Sequence, residues 1–190
     1  MRKLIESTLV SLDGVIESPE RWATFDDEAT HLSMQELDRY DAFVLGRVTY
    51  ERFRDNWSSG GNPYLDRIAA MPKYVASRTP QQLTWNAIPL GDDIVGAIQE
   101  LKAQAGKDLI KYGTSRLDAT LLRAGLVDEL RLWIMPVVVG SGQRLFEDAD
   151  TTSLGLELTG VRKLANGSVI LTYIPNSPPG GTPRQGNGET

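Results

Sequence analysis

Several short stretches of the 190-residue chain put glycine, hydroxyl and basic side chains where an anion could be held. The clearest is Gly113-Thr114-Ser115. Residues 109–112 before it are short, apolar-rich and bounded by turn formers, so they read as a strand that Gly113 breaks. A helix follows at once, because Ser115 and Asp118 have the spacing of a capping pair. Leu117, Leu121 and Leu122 share one face of it, and Gly125 suits the residue after its last turn. Free N–H groups and the positive helix end converge on this turn, which makes it a seat for phosphate, although an ordinary strand-to-helix connection has the same pattern. Gly46-Arg47 repeats the arrangement after the apolar run 42–45, with Arg47 and Thr49 as side-chain donors.

Other chemistries have few residues to work with. The chain has no cysteine, which removes disulfides, thiolate metal sites and cysteine nucleophiles, and a single histidine, His31, which argues against a histidine-rich metal centre. A net charge of −5 gives no basic bias towards nucleic acid. The N-terminal residues lack a signal-peptide core and no run approaches the roughly 18 apolar residues of a membrane span, so a soluble, cytoplasmic protein is expected.

The elements that must position these residues alternate. Residues 4–12 read as a strand ending in the turn pair Asp13-Gly14, and a helix is expected over 27–39 after a loop carrying Trp22 and Phe25. Residues 42–45 are a strand covered on both faces, 47–54 and 63–71 are helices, and 74–77 is a strand ending at Ser77-Arg78. One more short strand is expected at 83–86, before a Pro89-Leu90-Gly91 turn. Ile94, Ile98, Leu101 and Ala105 then mark a helix. Beyond Gly125, Leu130, Leu132 and Ile134 alternate with Glu129, Arg131 and Trp133 as in a half-buried strand, and 136–142 is a glycine-punctuated loop. Residues 156–164 and 168–174 flank Asn166-Gly167, a strong hairpin signal. The Pro/Gly-rich residues 175–190 read as a disordered tail. The pattern predicts one domain, residues 1–174, with a mostly parallel three-layer α/β/α sheet closed by an antiparallel hairpin.

Ser11-Leu-Asp-Gly14, Leu45-Gly-Arg-Val-Thr-Tyr-Glu51, Ser77-Arg78, Tyr112-Gly-Thr-Ser115 and Leu126-Val-Asp-Glu-Leu-Arg131 together resemble the dihydrofolate-reductase-like superfamily. Within it the match is to the reductase (RibD C-terminal) domain of bacterial riboflavin biosynthesis and its stand-alone relatives, over about residues 2–174. The resemblance implies an eight-stranded sheet, NADPH along the strand ends and hydride transfer to a small heterocyclic or carbonyl substrate. It implies cofactor contacts from Gly46, Arg47, Thr49, Gly113, Thr114 and Ser115, and from Ser77 and Arg78 at the ribose 2′-phosphate. Thr114 stands where dihydrofolate reductases tend to carry the second of two glycines.

Asp13 is implied as the catalytic and substrate-facing carboxylate, with Trp22 as a stacking partner; Asp-Gly is also plain turn chemistry. Glu28 and His31 are alternative acids on the first helix, and Gly140-Ser-Gly142 either approaches the nicotinamide or turns sharply. A homodimer is expected because such domains commonly pair, with Trp133 and Met135 as interface candidates that could equally lie beneath a helix. Three functions stay open: a reductase of the 5-amino-6-(5-phosphoribosylamino)uracil type, a reductase of dihydrofolate or an unrelated small molecule, and a non-catalytic nucleotide-binding protein.

Overall fold

A computed structural model describes residues 1–77, 83–147 and 154–176. Eight strands form one sheet in the order β4-β3-β2-β5-β1-β6-β8-β7. They are β1 (Leu4–Ser11), β2 (Tyr40–Gly46), β3 (Lys73–Ala76), β4 (Ala87–Pro89), β5 (Asp108–Tyr112), β6 (Glu129–Met135), β7 (Leu156–Lys163) and β8 (Val169–Pro175). The pairs among β1 to β6 are parallel, while β8 runs antiparallel to both β6 and β7. The expected α/β sheet with a terminal hairpin is therefore present.

The five helices are α1 (Asp27–Leu37), α2 (Arg47–Trp57), α3 (Pro63–Ala70), α4 (Ile94–Ala103) and α5 (Arg116–Arg123). Alternate residues of each strand go to opposite layers, as the two-residue period requires. Ile5, Phe43, Leu45, Val75 and Ile110 pack with Leu37, Tyr50 and Ile68 of α1, α2 and α3. Leu4, Ala42, Val44 and Leu109 pack with Ile98 and Leu101 of α4 and with Leu121 and Leu122 of α5.

Two sequence expectations are corrected by this packing. The short strand lies at 87–89, not 83–86, because Trp85 and Asn86 have φ of 58° and 55°, a left-handed turn that no strand residue adopts. Trp85 stays inside that turn under the Lys73 ammonium, 4.0 Å from its ring centroid. Pro89 ends β4, which an edge strand tolerates. Trp133 and Met135 are also not an outer face. They are 5% and 2% exposed, and α1 covers Trp133 through Ala29 and Leu32.

The hairpin turns where Asn166-Gly167 predicts. Leu164 N–H donates to Ser168 C=O at 2.9 Å, and Gly167 has a φ of 85°. A Cβ there would meet Pro136 no closer than 3.6 Å, so the strain of a side chain is confined to the backbone. Gly167→Ala is expected to cost about 1–2 kcal/mol and to lower Tm in a thermal melt, without altering the far-ultraviolet spectrum of the folded protein.

The two ends of the sheet differ in chemistry. At the strand N-termini, Arg2 pairs with Asp41 and Lys102 with Asp128, whose carboxylate also accepts from Leu4 N–H at 2.9 Å. That end is tied by ion pairs. The carboxyl end carries the glycine turns.

Candidate active site

In a parallel sheet the ligand crevice lies outside the strand carboxyl ends, where the strand order reverses. Here it reverses at β1, with β5 on one side and β6 on the other. The turns leaving β1, β2, β5 and β6 accordingly carry most of the residues singled out from sequence.

On the β2 and β5 side, two helix N-termini meet. A Cβ on Gly46 would lie 3.6 Å from Ser115 Oγ, so the start of α2 abuts the start of α5. Gly46 caps α2 without a side-chain hydrogen bond, and the first turn of α2 has no acidic residue. The other four helices all have a capping side chain, from Asp26, Asn62, Asp93 and Ser115. Uncapped N–H groups at the positive end of a helix favour an anion. Arg47 stands beside them on the surface, paired to Glu51 at 3.1 Å. Thr49 is half-buried in the same turn.

At α5 the expected capping box is present: Asp118 accepts from Ser115 N–H, and Ser115 Oγ accepts from Leu117 N–H at 3.3 Å. This changes what the turn offers. Ser115 N–H and Oγ are spent on the cap, whereas Thr114 Oγ1 is buried with no hydrogen-bond partner among the described residues. A buried orphan hydroxyl next to an uncapped helix start fits a phosphate-bearing group such as NADPH. Gly113 supplies the turn with a φ of 72° and donates to Ser7 C=O on β1 at 3.0 Å. β3 ends at Ala76, one residue earlier than expected, so Ser77 is the first residue past the strand, and Arg78 lies outside the described residues.

On the β1 and β6 side, Asp13 fastens the loop after β6. Its Oδ1 accepts from Ser11 Oγ–H at 2.7 Å and Val139 N–H at 3.0 Å, and its Oδ2 accepts from Gly140 N–H at 2.8 Å. The Val139 amide, then the Ser11 hydroxyl and the Gly140 amide, hold its carboxyl well below the usual aspartate range. The same loop is zipped further along. Ile16 N–H donates to Gln143 C=O and Leu145 N–H to Gly14 C=O, each at 2.9 Å. Gly142 passes so close to Val15 and Glu17 that an added Cβ would lie 3.0 Å from Val15 Cγ1. In the exposed turn Gly140-Ser-Gly142 the close approach is confined to Gly142, since a Cβ on Gly140 would meet nothing within 4 Å. Arg144, which the sequence reading passed over, reaches back to the Asp13 carbonyl. Arg144 and Gln143 face Thr114, Ser115 and Asp118 across a shallow cleft.

Of the remaining candidates, Trp22 belongs to the loop after β1, and Glu28 and His31 lie on α1. Trp22 is half-buried and its indole N–H donates to Glu17 C=O at 2.8 Å, within the loop after β1. Glu28 accepts from Ala165 N–H at 2.8 Å at the β7–β8 hairpin, and the exposed His31 lies 2.9 Å from Gln35 Nε2. Among the described residues no cluster of His, Cys, Asp and Glu could hold a metal, and no helix is long and apolar enough to cross a membrane.

The eight-stranded sheet, its reversal at β1 and the glycine turns along its carboxyl edge define a dihydrofolate-reductase-like domain, and the fold recurs in solved structures. The chain is similar to a candidate riboflavin biosynthesis protein from Shewanella sp. PV-4, with a TM-score of 0.69 at 21% identity over 91% of this chain and 98% of that one. It is likewise similar to dihydrofolate reductase from Enterococcus faecalis in complex with NADP(H), with a TM-score of 0.63 at 16% identity, covering 92% and 97% of the two chains. The chain belongs to the RibD C-terminal domain family, which matches residues 2–170. Its relative YyaP, an uncharacterized protein of Bacillus subtilis (strain 168), is 31% identical over 180 residues, 90% of this chain and 94% of that one. Family and fold together support a reductase-type, oxidoreductase function.

Proposed function

We propose that this protein is an NADPH-dependent reductase that transfers hydride to a small heterocyclic or carbonyl substrate of the pyrimidine-intermediate class. The observation that carries the reading is the meeting of the α2 and α5 N-termini at Gly46 and Ser115, with the Thr114 hydroxyl buried beside them and unpartnered among the described residues. When bound, NADPH supplies the hydride. The chain binds and orients. The uncapped α2 turn with Arg47 and Thr49, and Thr114 on the α5 side, take the phosphates; Ser77 and Arg78, which follow β3 in the sequence, are of the residue types that suit the ribose 2′-phosphate. The substrate then occupies the β1 and β6 side, bounded by the loop that Asp13 and Arg144 fix. Asp13 is ionised there, so it accepts hydrogen bonds and does not donate a proton.

Direct titration of NADPH and NADH into wild-type protein and Arg78→Ala tests the cofactor assignment. Loss of one charge-assisted phosphate contact should weaken NADPH by about 1.5–3 kcal/mol and leave NADH nearly unaffected. Equal losses for both nucleotides would remove Arg78 from the 2′-phosphate. Consumption of NADPH with dihydrofolate, and none with pyrimidine or carbonyl substrates, would favour the alternative reductase. Pairing of two copies, still expected from the family resemblance, has to use surfaces other than Trp133 and Met135, which the protomer buries.

A further inference from the structure

Three charged residues sit inside the sheet-to-α5 layer, directly beneath the Gly113–Ser115 turn, and all three are buried. Glu6 is 0% exposed, Lys111 1% and Asp118 1%. Glu6 and Lys111 are register partners on the neighbouring strands β1 and β5, and Asp118 comes from the first turn of α5. Lys111 Nζ lies 2.6 Å from Asp118 Oδ1 and also donates to the Gly113 carbonyl. Asp118 Oδ2 takes the Ser115 N–H. The turn is thus gripped at both ends from below, at its first carbonyl by Lys111 and at its last amide by Asp118.

Glu6 completes the set in an unusual way. Neither of its carboxyl oxygens has a hydrogen-bond partner among the described residues, and the charged groups that act on it are Asp118, itself a carboxylate, and Lys111. Two carboxyl groups buried around one ammonium do not both ionise without leaving a charge unpaired, so one of them keeps its proton. Asp118 is the ionised one of the two, because Lys111 Nζ lies 2.6 Å from its Oδ1 and its Oδ2 accepts from Ser115 N–H. The charges agree. Lys111 and Asp118 cancel, so a protonated Glu6 leaves the buried cluster neutral, whereas an ionised one would leave an uncompensated charge out of water.

We propose that Glu6, Lys111 and Asp118 are positioning residues for the phosphate seat at Gly113–Ser115: Lys111 and Asp118 hold the turn's backbone, Lys111 cancels the carboxylate below the incoming phosphates, and Glu6, buried beside Lys111, stays the neutral acid that keeps the cluster from carrying a net charge. The proposal rests on the reading of this turn as part of an NADPH site. Burial, with Asp118 as the next cause, raises the Glu6 carboxyl well above the usual glutamate range, against the opposing pull of Lys111. No other titratable group is among the causes of that shift, and the register partner on β6 is Leu130. Without Lys111, a phosphate at Thr114 would approach an unneutralised carboxylate across a turn freed at its Gly113 end.

The test uses the full chain and three readouts. NADPH binding is titrated directly, hydrogen–deuterium exchange follows residues 113–116, and infrared spectroscopy at neutral pH looks for a protonated carboxyl. Lys111→Met should raise the NADPH Kd at least tenfold and speed exchange at 113–116, with the Gly46 turn unchanged. If that variant does not fold, Lys111→Met/Asp118→Asn removes both buried charges, while the amide oxygen of the introduced side chain can still accept from Ser115 N–H. It should still show faster exchange at Gly113 and weaker NADPH binding. Wild-type affinity, or wild-type exchange at the turn, in a folded variant overturns the positioning role. A protonated-carboxyl band should be present in the wild type and lost in Glu6→Gln; its absence from the wild type overturns the assignment of the proton. If wild-type protein fails to bind NADPH, the parent reading falls, and the exchange rates then decide alone whether the cluster holds the turn.

Discussion

Asp13→Asn is expected to lower kcat/KM by about 10²-fold while NADPH affinity stays near that of the wild type. The aspartate accepts from three donors with its two oxygens, and both amides it takes belong to the loop after β6. Asparagine keeps the shape but puts an NH2 group against one of these donors, so the loop is released at Val139 or Gly140. Displacing a substrate-positioning segment by about 1 Å is enough for a loss of that size. The cofactor half should be spared, because Gly46 and Thr114 leave different strands and make none of these bonds. The pH dependence separates this role from proton transfer. The carboxyl is held below its ordinary value, so the contribution of its bonds is present above the unfolded-state value, about 3.9, and is lost only as pH falls through the lower folded value. The wild-type pH–rate profile above pH 5 should therefore contain no limb that Asp13→Asn abolishes. Such a limb would make Asp13 the proton-transfer group, and weakened NADPH binding would place it in the cofactor half.

The parts of this molecule that local chemistry decides were legible before any coordinates. The Asn166-Gly167 hairpin, the Ser115/Asp118 capping box and the glycine breaks after β2 and β5 each follow from neighbours in sequence, and each is present. Elements decided by distant partners were not. Residues 83–86 have strand-like composition, but Tyr50 Oη accepts from Thr84 N–H at 2.9 Å and a left-handed turn follows, so the strand starts only at Ala87. Trp133 and Met135 alternate with an apolar set and so read as an outer face, yet α1 crosses that face and buries Trp133. The β6 alternation is two-sided for the same reason: Arg131 is sandwiched and pairs with Glu36 of α1 at 2.5 Å. The cluster under α5 left a signal that periodicity alone did not decode. Glu6 interrupts Leu4-Ile5 and Lys111 interrupts Leu109-Ile110 at the same depth of two strands, but only the β1–β5 register makes them neighbours.

Glu6→Gln is expected to make the protein progressively more stable than wild type as pH rises above the ordinary glutamate value. The folded-state carboxyl is raised, so the folded protein holds a proton that the unfolded chain has released. Stability from the neutral acid is complete below the unfolded value, about 4.3, and is lost as pH climbs towards the folded one. Within that window the wild type should lose up to about 1.4 kcal/mol per pH unit from this group, the limit for one proton. Glutamine has no proton to lose, so its curve should lack this slope. Urea denaturation at intervals from pH 4.5 to 8 reads the difference directly. Parallel curves for the two proteins would mean that Glu6 is ionised in the fold. The cluster would then carry a net negative charge beneath the turn, opposed to the phosphate binding proposed for it. Diverging curves, together with an unchanged denaturant slope, place the proton on the native state and not on residual structure in the unfolded one.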